Sequence, residues 1–89
     1  MDNRKNVLIK EISKNILDFS VKYQLLRTSK DNIPSYDLKV TKYVGTKIIE
    51  YSTVIDVEWR EENALIILEA LAKNDVTPMC LEACILEII

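Results

Sequence analysis

The sequence contains no histidine, one glycine, two prolines and two cysteines among its 89 residues. Without an imidazole, the chain cannot form Ser-His or Cys-His nucleophile pairs or histidine-ligated metal sites. A single glycine is too few for a phosphate-cradling loop or a dinucleotide-binding fingerprint. These absences exclude many classes of enzyme, and we predict no catalytic residue, no cofactor and no metal site.

The composition predicts one domain that covers residues 1–89. With 48% hydrophobic and 29% charged residues the chain is globular in character, and no stretch approaches the ~20 apolar residues that a membrane span needs. The apolar run Val7-Leu-Ile9 is too short for a signal peptide, so we expect a cytoplasmic protein. A net charge of −2 makes nucleic acid an unlikely default partner.

Alternation of apolar and polar residues predicts an antiparallel meander of three to four strands. Clear strands cover about residues 19–28 and 36–41. A third covers about residues 47–55, and its imperfect alternation indicates either a bulge or a strand that is partly covered on both faces. Gly45 suits the left-handed position of the hairpin turn before that last strand. Residues 6–17 fit both strand and helical spacing; we favour a strand, followed by a turn over residues 13–18.

Two helices are predicted after the sheet, both packed on one of its faces, which gives an α+β fold. Asp56 is expected to cap the first helix, which then extends to residue 74 over about 25 Å. Thr77 is expected to cap the second helix, with Pro78 at its first position and Val76 packed on Leu81. This second helix is expected to continue to the last residue.

A helical wheel divides the second helix into two apolar faces. The face expected to pack on the core consists of Leu81, Cys84, Ile85, Ile88 and Ile89. The second face consists of Met79, Ala83 and Leu86, and we call these three residues the C-terminal stripe. Trp59 and Ile66 are expected on the outer side of the first helix. An outward Trp59 is either a partial lid on the domain or, with Ile66, an extension of this surface.

Three sequence features together resemble a small clostridial (Firmicutes) family of unknown function. They are Ser35-Tyr-Asp-Leu-Lys-Val in the meander, Val54-Ile-Asp56 before a helix, and Asn74-Asp-Val-Thr-Pro78 followed by Leu81. The Val-Thr-Pro helix start near the C-terminus is the best marker, and the resemblance extends from about Phe19 onward. It implies a Gram-positive, cytoplasmic setting and assigns no catalytic residue.

The cysteines and the carboxylates have simple structural interpretations. Cys80 and Cys84 lie four residues apart on one predicted helix, where a disulfide is unfavourable. Two copies could present four thiolates to zinc, but buried free cysteines that pack as small hydrophobes explain the pair better. The carboxylates between Asp56 and Glu62 are interpreted as a helix cap and a solvated face, because one helical turn cannot surround a cation.

The leading hypothesis is a noncatalytic protein-binding or regulatory module that forms a homodimer or docks a protein partner. Its predicted contact residues are Met79, Ala83, Leu86, Trp59 and Ile66. An alternative is single-stranded nucleic-acid binding on the sheet face opposite the helices, where bases stack on aromatic rings beside positive charge. Its predicted residues are Lys22, Lys39, Tyr43, Lys47 and Tyr51, with Gln24 and Thr41 between them. A small acidic phage or mobile-element inhibitor is a third hypothesis.

Overall fold

The fold is built on a four-stranded antiparallel meander, in a computed structural model that describes residues 5–30, 33–58, 60–81, 83 and 85. The strands, of twelve residues each, are β1 (Lys5–Ile16), β2 (Phe19–Lys30), β3 (Ile33–Val44) and β4 (Lys47–Glu58). Each strand pairs with its neighbour in sequence, in the order β1-β2-β3-β4. The predicted meander is confirmed with four strands, and the N-terminal segment is a strand.

The turns after β1 and β3 both use a residue with a left-handed backbone. Gly45 has φ +63°, as predicted for this hairpin. Leu17 has φ +51° in the turn after β1, and this conformation is unusual for a bulky side chain. The predicted turn over residues 13–18 is wrong, because β1 continues to Ile16 and Ser13 still pairs with Lys22.

The first helix begins later than predicted, because β4 extends past Asp56. Asp56 lies inside β4 with φ +59°, where the register shifts between the Tyr36–Glu58 and Leu38–Val54 pairs. A bulge was one of the two explanations for the imperfect alternation of this strand, but Asp56 was expected to cap a helix. Aspartate tolerates the left-handed region that a bulge requires, which accounts for its presence here.

The helix α1 (Glu61–Lys73) begins five residues after Asp56 and has thirteen residues. Glu61 and Glu62 place negative charge in its first turn, where it complements the helix dipole. At the other end Asp75 has φ +52°, and the Val76 amide donates to the Leu71 carbonyl at 3.1 Å. This Schellman arrangement provides hydrogen-bond donors for carbonyls that have no partner within the helix, and it turns the chain sharply.

One α-helix, not two, is present in the described residues. After α1 the chain forms a 3-10 helix, Pro78–Cys80, with Thr77 in an extended conformation at the cap position. Leu81, Ala83 and Ile85 are helical. Neither α1 nor the 3-10 helix has the length and apolar character that a membrane-spanning helix requires.

The core lies between one face of the sheet and the helical segments. α1 contacts all four strands, and the 3-10 helix contacts β3 and β4. The fully buried side chains of the core include Val21, Tyr23, Leu25, Leu38, Val40, Leu68, Leu71 and Leu81. A twelve-residue strand is about 40 Å long and α1 is only about 20 Å long, so the helix is too short to cover the full length of the strands.

Candidate interaction surfaces

The sheet face opposite α1 carries two lysine–tyrosine pairs. Because Tyr23, Leu25, Leu38 and Val40 face the core, strand alternation places their neighbours on the other side. We call this side the open face; its residues include Lys22, Gln24, Lys39, Thr41, Tyr43 and Tyr51. The Lys22 Nζ atom lies 5.3 Å from the centre of the Tyr43 ring. The Lys39 Nζ atom lies 5.6 Å from the centre of the Tyr51 ring.

These four side chains form a connected layer above a buried threonine. Thr41 is opposite both Lys22 and Tyr51 in the register and is buried, although it lies on the open face. The predicted grouping of Lys22, Lys39, Tyr43 and Tyr51 on one face is therefore observed. The face is not uniformly basic, because the nearby Gln24 side chain donates to the Glu11 carboxylate at 2.8 Å.

Lys47 does not belong to this group. It pairs with Val44, whereas Tyr43 pairs with Ile48. Because neighbouring residues in a strand point to opposite faces, Lys47 lies on the other side of the sheet from Tyr43. The prediction that placed Lys47 on the open face is wrong, because the register shift near residue 49 changes the alternation.

The C-terminal stripe is exposed at the positions that can be described. Met79 is 83% exposed and Ala83 is also exposed, whereas Leu81 and Ile85 are buried in the core. This division matches the two predicted faces of the segment. Ile66 on α1 is 64% exposed. The other predicted contact residues, Leu86 and Trp59, lie outside the described residues.

Cys80 is exposed, which corrects the prediction that it packs as a small buried hydrophobe. It lies in the 3-10 helix, whose tighter turn changes the wheel positions that were calculated for an α-helix. Cys84 lies outside the described residues.

A buried polar network on the open face was not predicted. The Asp37 carboxylate is 8% exposed and accepts hydrogen bonds from the Thr28 hydroxyl at 2.8 Å and from the Asp56 backbone N–H at 2.8 Å. Thr28 Oγ1 also lies 2.7 Å from the Asn6 side-chain amide. The network joins β1, β2, β3 and the bulge of β4, and Asp37 is its central acceptor.

The helix-facing side of the sheet holds a buried hydroxyl without a hydrogen-bond partner among the described residues. Tyr23 is 0% exposed, and its Oη atom contacts no donor or acceptor in that part of the chain. Burial raises the pKa of the Tyr23 hydroxyl to about 12, and the negative charge of Asp75 adds to this rise. Asp75 itself is paired with Lys14, which also donates to the Ala72 carbonyl at 2.7 Å.

One pocket and the acidic side chains were the remaining candidates for a chemical site in the described part of the chain. A pocket of about 250 Å³ lies between the turns after β1 and β3, and it is open to solvent. Its lining residues are Asn15, Leu17, Asp18, Phe19, Ser20 and Gly45. In residues 5–30, 33–58, 60–81, 83 and 85, no group of three or more acidic or cysteine side chains could hold a metal ion.

Comparison with protein-family models, curated proteins and solved structures found no match to this chain. The resemblance to the clostridial family therefore stays a prediction, and functional proposals depend on the surfaces of the molecule itself.

Proposed function

We propose that this chain is a noncatalytic cytoplasmic protein-binding module that self-associates or docks a protein partner through the C-terminal stripe. The exposure of Met79 carries the proposal: this apolar side chain is 83% exposed, while the core is already filled by Leu81 and Ile85 from the same segment. Leu86, the third residue of the stripe, is proposed as a contact residue with Met79 and Ala83.

Burial of the stripe favours association because it removes apolar surface from water. Full burial of a methionine or leucine side chain contributes about 1.5 to 3 kcal/mol. Met79 and Leu86 together therefore contribute about 3 to 6 kcal/mol, and further contacts must offset the entropic cost of association. Ile66, at 64% exposure on α1, and Trp59 are the proposed additions at the margin.

Met79→Glu is expected to weaken self-association or partner binding at least about tenfold, because a carboxylate would then be desolvated at the contact. The free energy of unfolding should change by less than about 0.5 kcal/mol, since the side chain is on the surface. Light scattering over a concentration series and urea denaturation measure the two effects. Ile33→Glu is the matched control, because Ile33 is 71% exposed at the start of β3.

A photo-crosslinking residue at position 79 extends the test to a heterologous partner in the native host. A protein that is monomeric at all concentrations and forms no crosslink from position 79 would contradict the proposed role of the stripe. Equal weakening by Ile33→Glu would show that the association is nonspecific.

The open face supports a second candidate, single-stranded nucleic-acid binding. The supporting observation is that Lys22, Lys39, Tyr43 and Tyr51 lie together as two cation–π pairs. An exposed cation–π contact contributes about 0.5 to 1 kcal/mol, whereas stacking of a base on an aromatic ring contributes about 1 to 3 kcal/mol. A base could therefore displace a lysine from its tyrosine ring, and the lysine ammonium could then bind a phosphate.

Tyr43→Ala and Lys39→Ala are each expected to weaken oligonucleotide binding about tenfold at low salt, if this second candidate holds. Lys47→Ala is the matched control, because it removes the same charge from the other side of the sheet. Fluorescence anisotropy of a labelled oligothymidine measures the affinities. An equal loss in Lys39→Ala and Lys47→Ala would indicate a general charge effect, and absence of binding would reject the candidate.

A further inference from the structure

The two edges of the sheet differ in how they are protected. β1 and β4 are the outer strands. Lysines and bulges discourage pairing of an edge strand with another chain; both edge strands have bulges, but only β1 has lysines in its middle. Its Lys10 and Lys14 side chains contact Glu69 and Asp75, and its register shifts between Leu8 and Lys10.

The middle of β4 has no such cationic protection. Glu50 is the only charged residue between Ile48 and Ile55. The exposed large apolar side chains of this strand are Ile48, Ile49, Tyr51 and Ile55. Since β3 occupies one edge of β4, the backbone N–H and C=O groups of its other edge have no strand partner among the described residues. A long apolar edge of this kind favours the addition of another strand.

A regular stretch at the centre of β4 is flanked by one irregularity on each side, with one extra residue near Ile49 and two extra residues between Val54 and Glu58. Residues 50–54 pair with β3 without interruption, and their centre is Ser52, opposite Val40. The register shifts at Ile49 on one side and over residues 55–57 on the other. Ile49 and Ile55 are thus both three residues from Ser52. If a second copy of β4 is placed antiparallel to the first about Ser52, residues 50–54 of one copy lie opposite residues 50–54 of the other.

We propose that β4 is an interface at which two copies of this chain pair antiparallel about a two-fold axis through Ser52, joining their sheets into one of eight strands. An antiparallel pair with this symmetry places each residue opposite a residue at the same distance from the axis. Tyr51 then lies opposite Thr53 of the second copy, and aromatic–β-branched pairs stabilise antiparallel strands. Ile49 lies opposite Ile55, so the exposed apolar side chains cover each other.

Neighbouring registers are less favourable. An axis through Thr53 places Glu50 opposite Asp56, and like charges directly opposite each other destabilise a sheet. An axis through Tyr51 places the irregular Ile49 opposite Thr53, in the regular part of the strand, so the ladder would be interrupted. An axis between two residues is excluded, because it would pair side chains from opposite faces.

Disulfide trapping tests the register in a Cys80→Ser, Cys84→Ala background, in which each variant contains a single cysteine. Ser52→Cys should crosslink rapidly on mild oxidation, because residues directly opposite have Cβ atoms about 4.5 to 5.5 Å apart. Tyr51→Cys alone should crosslink at least about tenfold more slowly, since its own copy lies at a diagonal position about 7 to 8 Å away. A mixture of Tyr51→Cys and Thr53→Cys should restore rapid crosslinking. Ser13→Cys on the β1 edge is the matched control.

Sedimentation equilibrium tests the same interface without cysteines. A single edge contact is small, so we expect a dimer that dissociates on dilution. Thr53→Lys should raise its dissociation constant at least about tenfold, and Ser13→Lys should leave it unchanged. A wild-type chain that stays monomeric at millimolar concentration, or a dimer that Thr53→Lys leaves intact, would overturn the proposal. A dimer lost in Met79→Glu but kept in Thr53→Lys would assign dimerisation to the C-terminal stripe instead.

Discussion

Asp37→Ala is expected to lower the free energy of unfolding by about 2 to 3 kcal/mol. The substitution removes the acceptor of two hydrogen bonds, one from the Thr28 hydroxyl and one from the Asp56 backbone N–H. Hydrogen bonds to a charged group contribute about 1.5 to 3 kcal/mol each, and the saved cost of burying a carboxylate offsets part of the loss. Urea denaturation followed by circular dichroism measures the change.

Two further variants separate the network from a general effect of removing charge. Asp37→Asn keeps an oxygen that can accept from the Asp56 N–H, so it should cost less than Asp37→Ala. Asp18→Ala removes an exposed carboxylate from the turn after β1 and should change stability by less than about 0.5 kcal/mol. If Asp37→Ala costs less than Asp18→Ala, the network does not stabilise the bulge of β4.

Tyr23→Phe is expected to raise the free energy of unfolding by about 1 to 2 kcal/mol at neutral pH. Burial of a hydroxyl without a partner costs about 1 to 3 kcal/mol in proteins, and Tyr23 Oη has no partner among the described residues. Phenylalanine keeps the ring that packs in the core and removes this cost. A loss of more than 1 kcal/mol would instead indicate a hydrogen bond from Tyr23 to a part of the chain that is not described.

The gain from Tyr23→Phe should grow at alkaline pH. The pKa of Tyr23 is raised from 10.0 to about 12 in the folded state. Below pH 10 the hydroxyl is neutral in both states, so its full contribution is present. Above pH 10 the unfolded chain loses this proton first, and stability falls until the folded pKa is reached. The difference between wild type and Tyr23→Phe should therefore widen between about pH 9.5 and 11.5.

The sheet was predictable because its pattern is local. Alternating residues such as Val21, Tyr23 and Leu25 place one side of each strand in the core, and Gly45 marks a turn. The turn after β1 was placed too early because it contains Leu17, which is not a turn former. Ser13, Lys14 and Asn15 are three consecutive polar residues, so the sequence has no strand alternation there that would have indicated the continuation of β1.

The start of α1 was not predictable from local sequence. Aspartate is favoured both as a helix cap and in left-handed positions, so Asp56 fits either structure. The Asp37 carboxylate, nineteen residues earlier in the chain, accepts its amide proton in the bulge. Whether Asp56 caps a helix or lies in a bulge therefore depends on a contact between strands. Residue spacing within one segment does not predict that contact.

The candidate surfaces were predictable where they followed a regular period. The open face needed only alternation, which fails at Lys47 after the register shift. In the C-terminal segment the exposure of Met79 and the burial of Leu81 followed from helical spacing. The exposure of Cys80 did not follow from that spacing, because the segment begins as a 3-10 helix. The orphan Tyr23 hydroxyl could not be anticipated, since its surroundings are assembled from different elements.

The two-residue connections between consecutive strands also determine the order in which the chain can fold. Each ladder can grow outward from its own turn, so the entropic cost of loop closure is small at every step. The contacts of α1 with β1 are different, because Lys10 and Glu69 are separated by 59 residues. The helix therefore closes long loops, and the strands of a nascent chain can pair before the segment that covers the core has been synthesised.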